Sequence, residues 1–416
     1  MTSTQTRTKA DDLRAYLLPH TIAHARSRSP YYREALRHAP ADAGLDDLAH
    51  LPLLSKDDLQ AHGDDMRTFS SYPDYLMYTS GTTGAQLEVP VYRSEMEAYD
   101  RFVIAAWRER LGELPLTLSV QRVGHGTHVV SPSLPTVPAH INYGIEQLVA
   151  MLRGSHWLNG TYVRVTNLEA NVLNIRQITA ELLDAGTDPK SFGLQTINLS
   201  GWYIPSHERA ALAETWGALI LDRYGVTEVH GDAKWCALCG YYHFDFTVIP
   251  EVLDVDSGEP IEEGIGEIVL TGLFPFNQAI PKIRYRLGDL VEARRTACGS
   301  SERGVRFLSR TRDAVRIGST GTRYRPFSSE VAEALAALPD VRRNEKTGFL
   351  RFALAREHDD RLAVTIELTY HPDSYRSRTQ ELDAIVRTGL AARSVYADGV
   401  DVRFVGPGRI AKITKV

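Results

Sequence analysis

The spacing of apolar positions changes along this chain, and each change marks an element. From about Asp11 to Leu36 apolar residues recur at helical intervals, and in "SPYYREAL" Ser29 stands as a cap ahead of Pro30, which suits a first helical turn. "LPLLSKDDLQAH" predicts a turn into a helix capped at Ser55, with Asp57 and Asp58 in its first turn, where the helix dipole favours acids. "MEAYDRFVIAAWRERL" and "LNIRQITAELLDAG" are amphipathic at the same period, the second closed by Gly186. The short apolar runs "LQTINLS", "ALILDRYG" and "GEIVLTGL" predict strands. Helices and strands therefore alternate, which predicts an α/β fold with mostly parallel sheet. Beyond "SRTRDAVRIGS" the order becomes helix, strand, strand, helix, strand, a compact α+β unit at the C-terminus.

Length and charge narrow the functional classes. A chain of 416 residues can bury a large core in more than one unit, and its 43% hydrophobic and 24% charged content is that of a globular protein. Its 47 basic and 52 acidic residues give a net charge of −5, so no field favours nucleic acid or an anionic membrane. The N-terminal stretch "MTSTQTRTKADDLRAYLLPH" has no apolar run fit for a signal peptide or a spanning helix, which predicts a cytoplasmic protein with no membrane partner.

One loop carries candidate chemistry. Thr79, Ser80, Gly81, Thr82, Thr83 and Gly84 put hydroxyls beside glycines whose amides are free to wrap phosphate oxygens, although such a stretch is also an ordinary turn. A P-loop needs Gly-Lys-Ser/Thr at its end, whereas Gly84 is followed by Ala85 and Gln86, so the loop does not read as a Walker site. Further along, "DRYGVTEVHG" offers Tyr224, Gly225, Thr227 and Glu228 at a strand end; "IRYRLGDL" offers Asp289; "LSRTRDAVRIG" offers Arg310; and "GRIAKITKV" brings Lys412 and Lys415.

In their order and spacing these segments resemble the adenylate-forming superfamily of acyl-CoA synthetases and adenylation domains, in its phenylacetate–CoA ligase-like branch. The resemblance implies an α/β fold with a large N-terminal ATP- and carboxylate-binding domain, residues 1–309, and a small mobile C-terminal α+β domain, residues 310–416, that carries the adenylation lysine. It implies ATP and Mg²⁺ as ligands, a small-molecule carboxylic acid as substrate, and CoA as the acceptor, with a carrier protein, an amine or an inorganic nucleophile as alternatives. A homodimer is the assembly to test. By the same resemblance the loop from Thr79 to Gly84 binds the β- and γ-phosphates, Tyr224 stacks on adenine with Gly225 beside it in the nucleotide site, Thr227 lies near the α-phosphate, Glu228 holds Mg²⁺, Asp289 meets the ribose, and Arg310 meets the ribose or a phosphate. Arg312 falls at the hinge, Lys412 at the adenylation lysine with Lys415 as fallback, and Ser200 and Gly201 beside the adenine. Trp202 either lines the acyl pocket or is a buried structural residue. His125, His128 and His140 fall in the acyl-pocket segment, where a lone histidine is more often structural than a ligand. The chain departs from the family pattern at the missing lysine beyond the loop, at Ser309 and at Ala411. A catalytically weakened nucleotide-binding zinc protein is the reading of a different class.

The cysteines add one expectation. Cys236 and Cys239 form Cys-x2-Cys ahead of His243, and Cys298 is remote in sequence. Three cysteines and a histidine make a common structural-zinc set, with His230 as the other fourth ligand, and buried reduced thiols as the plainer reading.

Overall fold

The computed structural model describes residues 8–40, 42–69, 71–79, 86–121, 133–298, 303–314, 327–345, 347–357, 362–393, 400–414 and 416, with the backbone alone of 316–317 and 323–324. Ser80, Gly81, Thr82, Thr83, Gly84, His125, His128 and Lys415 lie outside the described residues.

The parallel strands expected from the alternation form one half of an eleven-stranded mixed sheet. Thr136–His140, Thr117–Gln121, Asn167–Asn171, Thr196–Ser200 and Leu219–Tyr224 lie side by side, all parallel. From Leu219–Tyr224 onward the sheet is antiparallel, through Ala233–Cys236, Tyr241–Phe244, Arg303–Arg310, Tyr285–Arg295, Gly264–Gly272 and Val248–Leu253. Leu118, Leu168, Ile197 and Leu199 are wholly buried under helix Val172–Asp184, which contributes Ile175 and Ile178. Asn171 caps that helix by accepting the amide of Asn174 at 2.8 Å, so strand and helix join without a spare residue. Ile268, Leu270, Val291 and Val248 fill the core of the antiparallel half.

The N-terminal segment breaks where the sequence predicts. Helix Lys9–Arg28 ends at Ser29, whose hydroxyl accepts the amide of Tyr32 to start helix Pro30–Ala35. Arg14, buried, donates to the carbonyls of Val248 at 2.8 Å and Asp245 at 2.9 Å, which pins the first helix to the sheet edge. Helix Lys56–Met66 carries the predicted cap at Ser55, reciprocated by Asp58. Just before it, Leu54 exchanges backbone hydrogen bonds with Arg284 and Arg286, fixing this helix beside strand Tyr285–Arg295.

The C-terminal unit has its own core. Strand Phe352–Arg356 pairs antiparallel with Leu362–Glu367, which pairs in parallel with Val400–Val405 after the crossover helix Arg376–Arg393. Val331, Leu335, Val364, Ile366, Leu382 and Val386 are wholly buried between this sheet and its helices. It touches the large sheet domain where Glu333 accepts from the Tyr203 hydroxyl at 2.5 Å and the Ser206 amide at 2.9 Å. Nearby, Phe349 meets the Trp202 ring edge-on at 4.8 Å between centroids.

Candidate active site

Sheet topology sets the place. Asn171, Ser200 and Tyr224 end consecutive parallel strands, and at Leu219–Tyr224 the sheet changes from parallel to antiparallel. In open α/β sheets ligands bind outside the carboxyl ends of the parallel strands. The chain leaves Tyr224 into a turn, residues 225–232, that carries Thr227 and Glu228. Arg223 holds both sides of this turn, pairing with Glu169 at 2.7 Å and with Asp232 at 3.3 Å. Gly231 sits at φ +141, and a Cβ there would fall 2.4 Å from Cγ1 of Val248, so the return of the turn requires glycine.

A closed charged triad forms on one side. The Tyr224 ring lies among Tyr242, Phe244 and Phe307, and its hydroxyl donates to Oδ2 of Asp289 at 2.8 Å. The other oxygen of Asp289 meets the Arg310 guanidinium at 2.6 Å, because Asp289 and Arg310 are cross-strand partners. Burial pushes the Asp289 carboxyl up, and Arg310 and the Tyr224 hydroxyl pull it back toward the charged form. Burial, then the Asp289 charge, raises the Tyr224 phenol well above its ordinary range, so it remains a donor.

On the other side Glu228 accepts from the Tyr285 hydroxyl at 3.0 Å. Glu228 also lines a cavity of about 500 Å³ whose walls include residues 86–89, the end of helix Lys56–Met66, Ile280 and Lys282. Lys282 is only 5% exposed, and burial lowers its ammonium to about 8 against the pull of Glu95 and Glu228. Lys282 and Tyr285 are three apart and would face opposite sides of a regular strand. Between them Arg284 adopts φ +52, a conformation that costs roughly 1–2 kcal/mol outside glycine. Its guanidinium is tied to the carbonyls of Ala49 at 2.6 Å and Leu51 at 2.8 Å and to Glu251 at 3.0 Å, which holds the strain in place. Lys282 lies before strand Tyr285–Arg295, and both residues act on Glu228, Tyr285 through its hydrogen bond and Lys282 through its charge.

Strands Tyr75–Tyr78 and Glu88–Val91, which flank the hydroxyl-rich segment in sequence, pair antiparallel. Thr79 closes the neck of this pair: its amide donates to the Leu87 carbonyl at 3.1 Å and its hydroxyl accepts the Leu87 amide at 3.0 Å. Gln86 and Leu87, at the far side of that neck, reach the Glu228 cavity.

Other sequence-predicted residues lie elsewhere. Lys412 is exposed on the C-terminal segment, and among the described residues no hydrogen bond or ion pair joins it to Glu228 or Asp289. That segment is anchored on both sides of Lys412. The buried Glu367 accepts the amides of Gly408 at 2.8 Å and Ile410 at 3.1 Å, and Thr414 donates to the Phe352 carbonyl at 2.8 Å. Arg312 lies in the single turn Thr311–Asp313, half exposed beside Asp313. Gly201 follows Ser200 at φ +91 against Asn171, and Trp202 turns toward Phe349 of the C-terminal unit. His140 ends its strand with Nδ1 accepting the Asn142 amide at 3.1 Å.

Cys236, Cys239, His243 and Cys298 converge, their sulfur and imidazole nitrogen atoms all within 4.8 Å of one another. Nε2 of His243 lies 3.2 Å from Sγ of Cys239 and 3.5 Å from Sγ of Cys298. Burial lowers the imidazole and raises the Cys239 thiol to about 11. The donor types and mutual spacing suit a tetrahedral zinc ion. His230 stands apart, its backbone bonded in both directions to the Asn277 side chain.

Lys282 was missed by sequence reasoning, and so was the Tyr285 contact to Glu228. The available signal was the lysine inside the apolar run "AIPKIRY", a charge where alternation predicts core.

No family model matches the chain. Phenylacetate-coenzyme A ligase of Thermus thermophilus is 25% identical over 365 residues, covering 80% of this chain and 77% of that one. Among solved structures, 2-hydroxyisobutyryl-CoA ligase in the postadenylation state superposes with a TM-score of 0.70 at 17% identity, over 98% of this chain and 89% of that one. ATP-bound MatB from Rhodopseudomonas palustris gives a TM-score of 0.55 at 16% identity, over 81% of this chain and 66% of that one. The chain thus has the adenylate-forming ligase fold and is a relative of phenylacetate-coenzyme A ligase over four-fifths of its length.

Proposed function

We propose that this chain is an ATP-dependent, AMP-forming acid–CoA ligase. A substrate carboxylate oxygen attacks the α-phosphorus of ATP, the bond to the β-phosphate breaks, and pyrophosphate leaves; the CoA thiol then attacks the acyl carbon and AMP departs. The observation that carries this reading is the closed Tyr224–Asp289–Arg310 triad set beside the Glu228 cavity at the carboxyl ends of the parallel strands. An aromatic ring next to a paired carboxylate suits a purine and a ribose diol, and Glu228 at a cavity mouth suits Mg²⁺. Thr227 belongs beside the α-phosphate, and Lys412 supplies charge to the α-phosphate and the carboxylate once the small domain, residues 310–416, turns about Arg312. Its anchoring by Glu367 gives that lysine a fixed base to be carried on.

Zinc at Cys236, Cys239, His243 and Cys298 would tie the hairpin after Glu228 to the segment after strand Tyr285–Arg295, a structural role. No helix among the described residues is long and apolar enough to cross a membrane, and the three cysteines form no disulfide, which fits the reducing cytoplasm. The test is a panel of aryl, short acyl and amino acids offered with Mg-ATP and then CoA. AMP and a thioester forming with one acid support the reading. Pyrophosphate released with an acid whose acyl group then passes to an amine and not to CoA, with AMP departing, would reassign the acceptor.

A further inference from the structure

The loop that the proposed function gives to the β- and γ-phosphates contributes no side-chain cation: from Thr79 to Tyr92 the chain has no lysine, arginine or histidine. A polyphosphate tail in a partly dry crevice needs positive charge, and one Mg²⁺ leaves it anionic. Lys282 is the buried cation on the wall of the cavity that begins at Gln86 and includes Glu228.

Its ammonium is not used up within the protein. Among the described residues no carboxylate or acceptor lies within ion-pair or hydrogen-bond reach of it, and Glu95, Glu228 and His230 act on it from farther away. Glu95 has no need of it: that carboxylate already accepts the amides of Ala279 at 2.9 Å, Tyr92 at 2.7 Å and Gln278. The other cation on the cavity wall, Arg67, is paired with Asp64 at 3.2 Å. Burying a lysine without a partner is costly, and the cost is recovered when an anion enters beside it. Lys282 stands two residues before the anchored Arg284, and Tyr285, next along the chain, holds Glu228 on the same cavity wall.

Resting on the adenylation reading, we infer that Lys282 is the cation for the pyrophosphate moiety, taking over from a distant strand the charge that the phosphate loop lacks. It is a binding residue for the leaving group, opposite Glu228.

Titration calorimetry of the full-length chain with Mg-pyrophosphate and, separately, with AMP tests this. Lys282→Gln weakens pyrophosphate binding by ~10- to 100-fold, the effect of removing a charge-assisted contact, and leaves AMP within a factor of about two. Adding Gln86→Lys, which puts an ammonium on the same cavity from the loop side, recovers at least about a third of that loss on a logarithmic scale. Unchanged pyrophosphate affinity in Lys282→Gln overturns the inference while leaving the function intact. If both ligands and the melting temperature fall together, Lys282→Arg decides: recovery of pyrophosphate binding supports the inference, and no recovery rejects it. A wild-type chain that binds AMP but shows no carboxylate-dependent exchange removes the adenylation reading instead.

Discussion

The two charged regions at the ends of the parallel strands are built on opposite plans. On one, Asp289 has both oxygens engaged, by the Tyr224 hydroxyl and by Arg310, and the aromatic ring is packed on three sides. On the other, Lys282 is buried and unpaired among the described residues, and Glu228, hydrogen-bonded there to Tyr285, lines an open cavity. Under the proposed function, the closed region would suit the part of the ligand that stays throughout a two-step reaction, the adenosine, and the open region the part that must arrive, be neutralised and leave, the pyrophosphate. Preorganised groups lower a barrier because they need not move when charge develops, whereas groups that release a product must not bind it too well.

Substitutions can break this contrast, and the largest effect is expected from outside both regions. Lys412→Ala should lower adenylate formation by ~10²- to 10³-fold, as for loss of one electrostatic stabiliser of a transition state, while ATP affinity changes by less than about threefold. An equal loss in both would make Lys412 a nucleotide-binding residue and erase its separation from the two regions. Next comes the closed side. Asp289→Ala leaves Arg310 and the Tyr224 hydroxyl without their partner, and urea denaturation should show a loss of about 2–3 kcal/mol. This is below the full ~3–5 kcal/mol of a buried pair, because Arg310 keeps a solvent-facing edge that screens it. Glu228→Gln, on the open side, should lower exchange by ~10- to 100-fold with a stability change of less than about 1 kcal/mol. Equal destabilisation by the two would mean that the open region is also a structural one. The smallest effect belongs to the metal: analysis should find about one zinc per chain, and chelation should lower the melting temperature by at least about 4 °C, or roughly 1–2 kcal/mol for a domain of this size. A metal-free chain that melts at the same temperature removes zinc from the account.

Much of this was legible along the chain, and for physical reasons. Ser29, Ser55 and Gly186 act through neighbours within a turn, so these caps and helix limits follow from local sequence. Tyr224, Glu228, Asp289 and Arg310 were visible as segments, and the sheet joins three of them because strands Tyr285–Arg295 and Arg303–Arg310 pair in the register that sets Asp289 against Arg310. The antiparallel half was less visible, since buried strands such as Gly264–Gly272 look alike whatever the direction of their neighbours. The hairpin Ser155–Leu158 with Thr161–Arg164 turns at Asn159 and Gly160, both at positive φ, a signal that was present and went unread. Lys282 was hidden for another reason. Its place depends on Glu228 and Lys282, remote in sequence, lining one cavity, and that meeting leaves no mark in composition or period. Trp202 likewise needed the fold, since its partner Phe349 lies in the other domain.

Carboxylate-dependent exchange of labelled pyrophosphate into ATP tests the central claim most directly. With the full-length chain, Mg²⁺ and a broad panel of carboxylic acids, the account predicts exchange with at least one acid, none without acid, and a rate lowered by ~10- to 100-fold in Glu228→Gln. Tight AMP binding with no exchange for any acid would contradict it and leave a nucleotide-binding protein in place of a ligase.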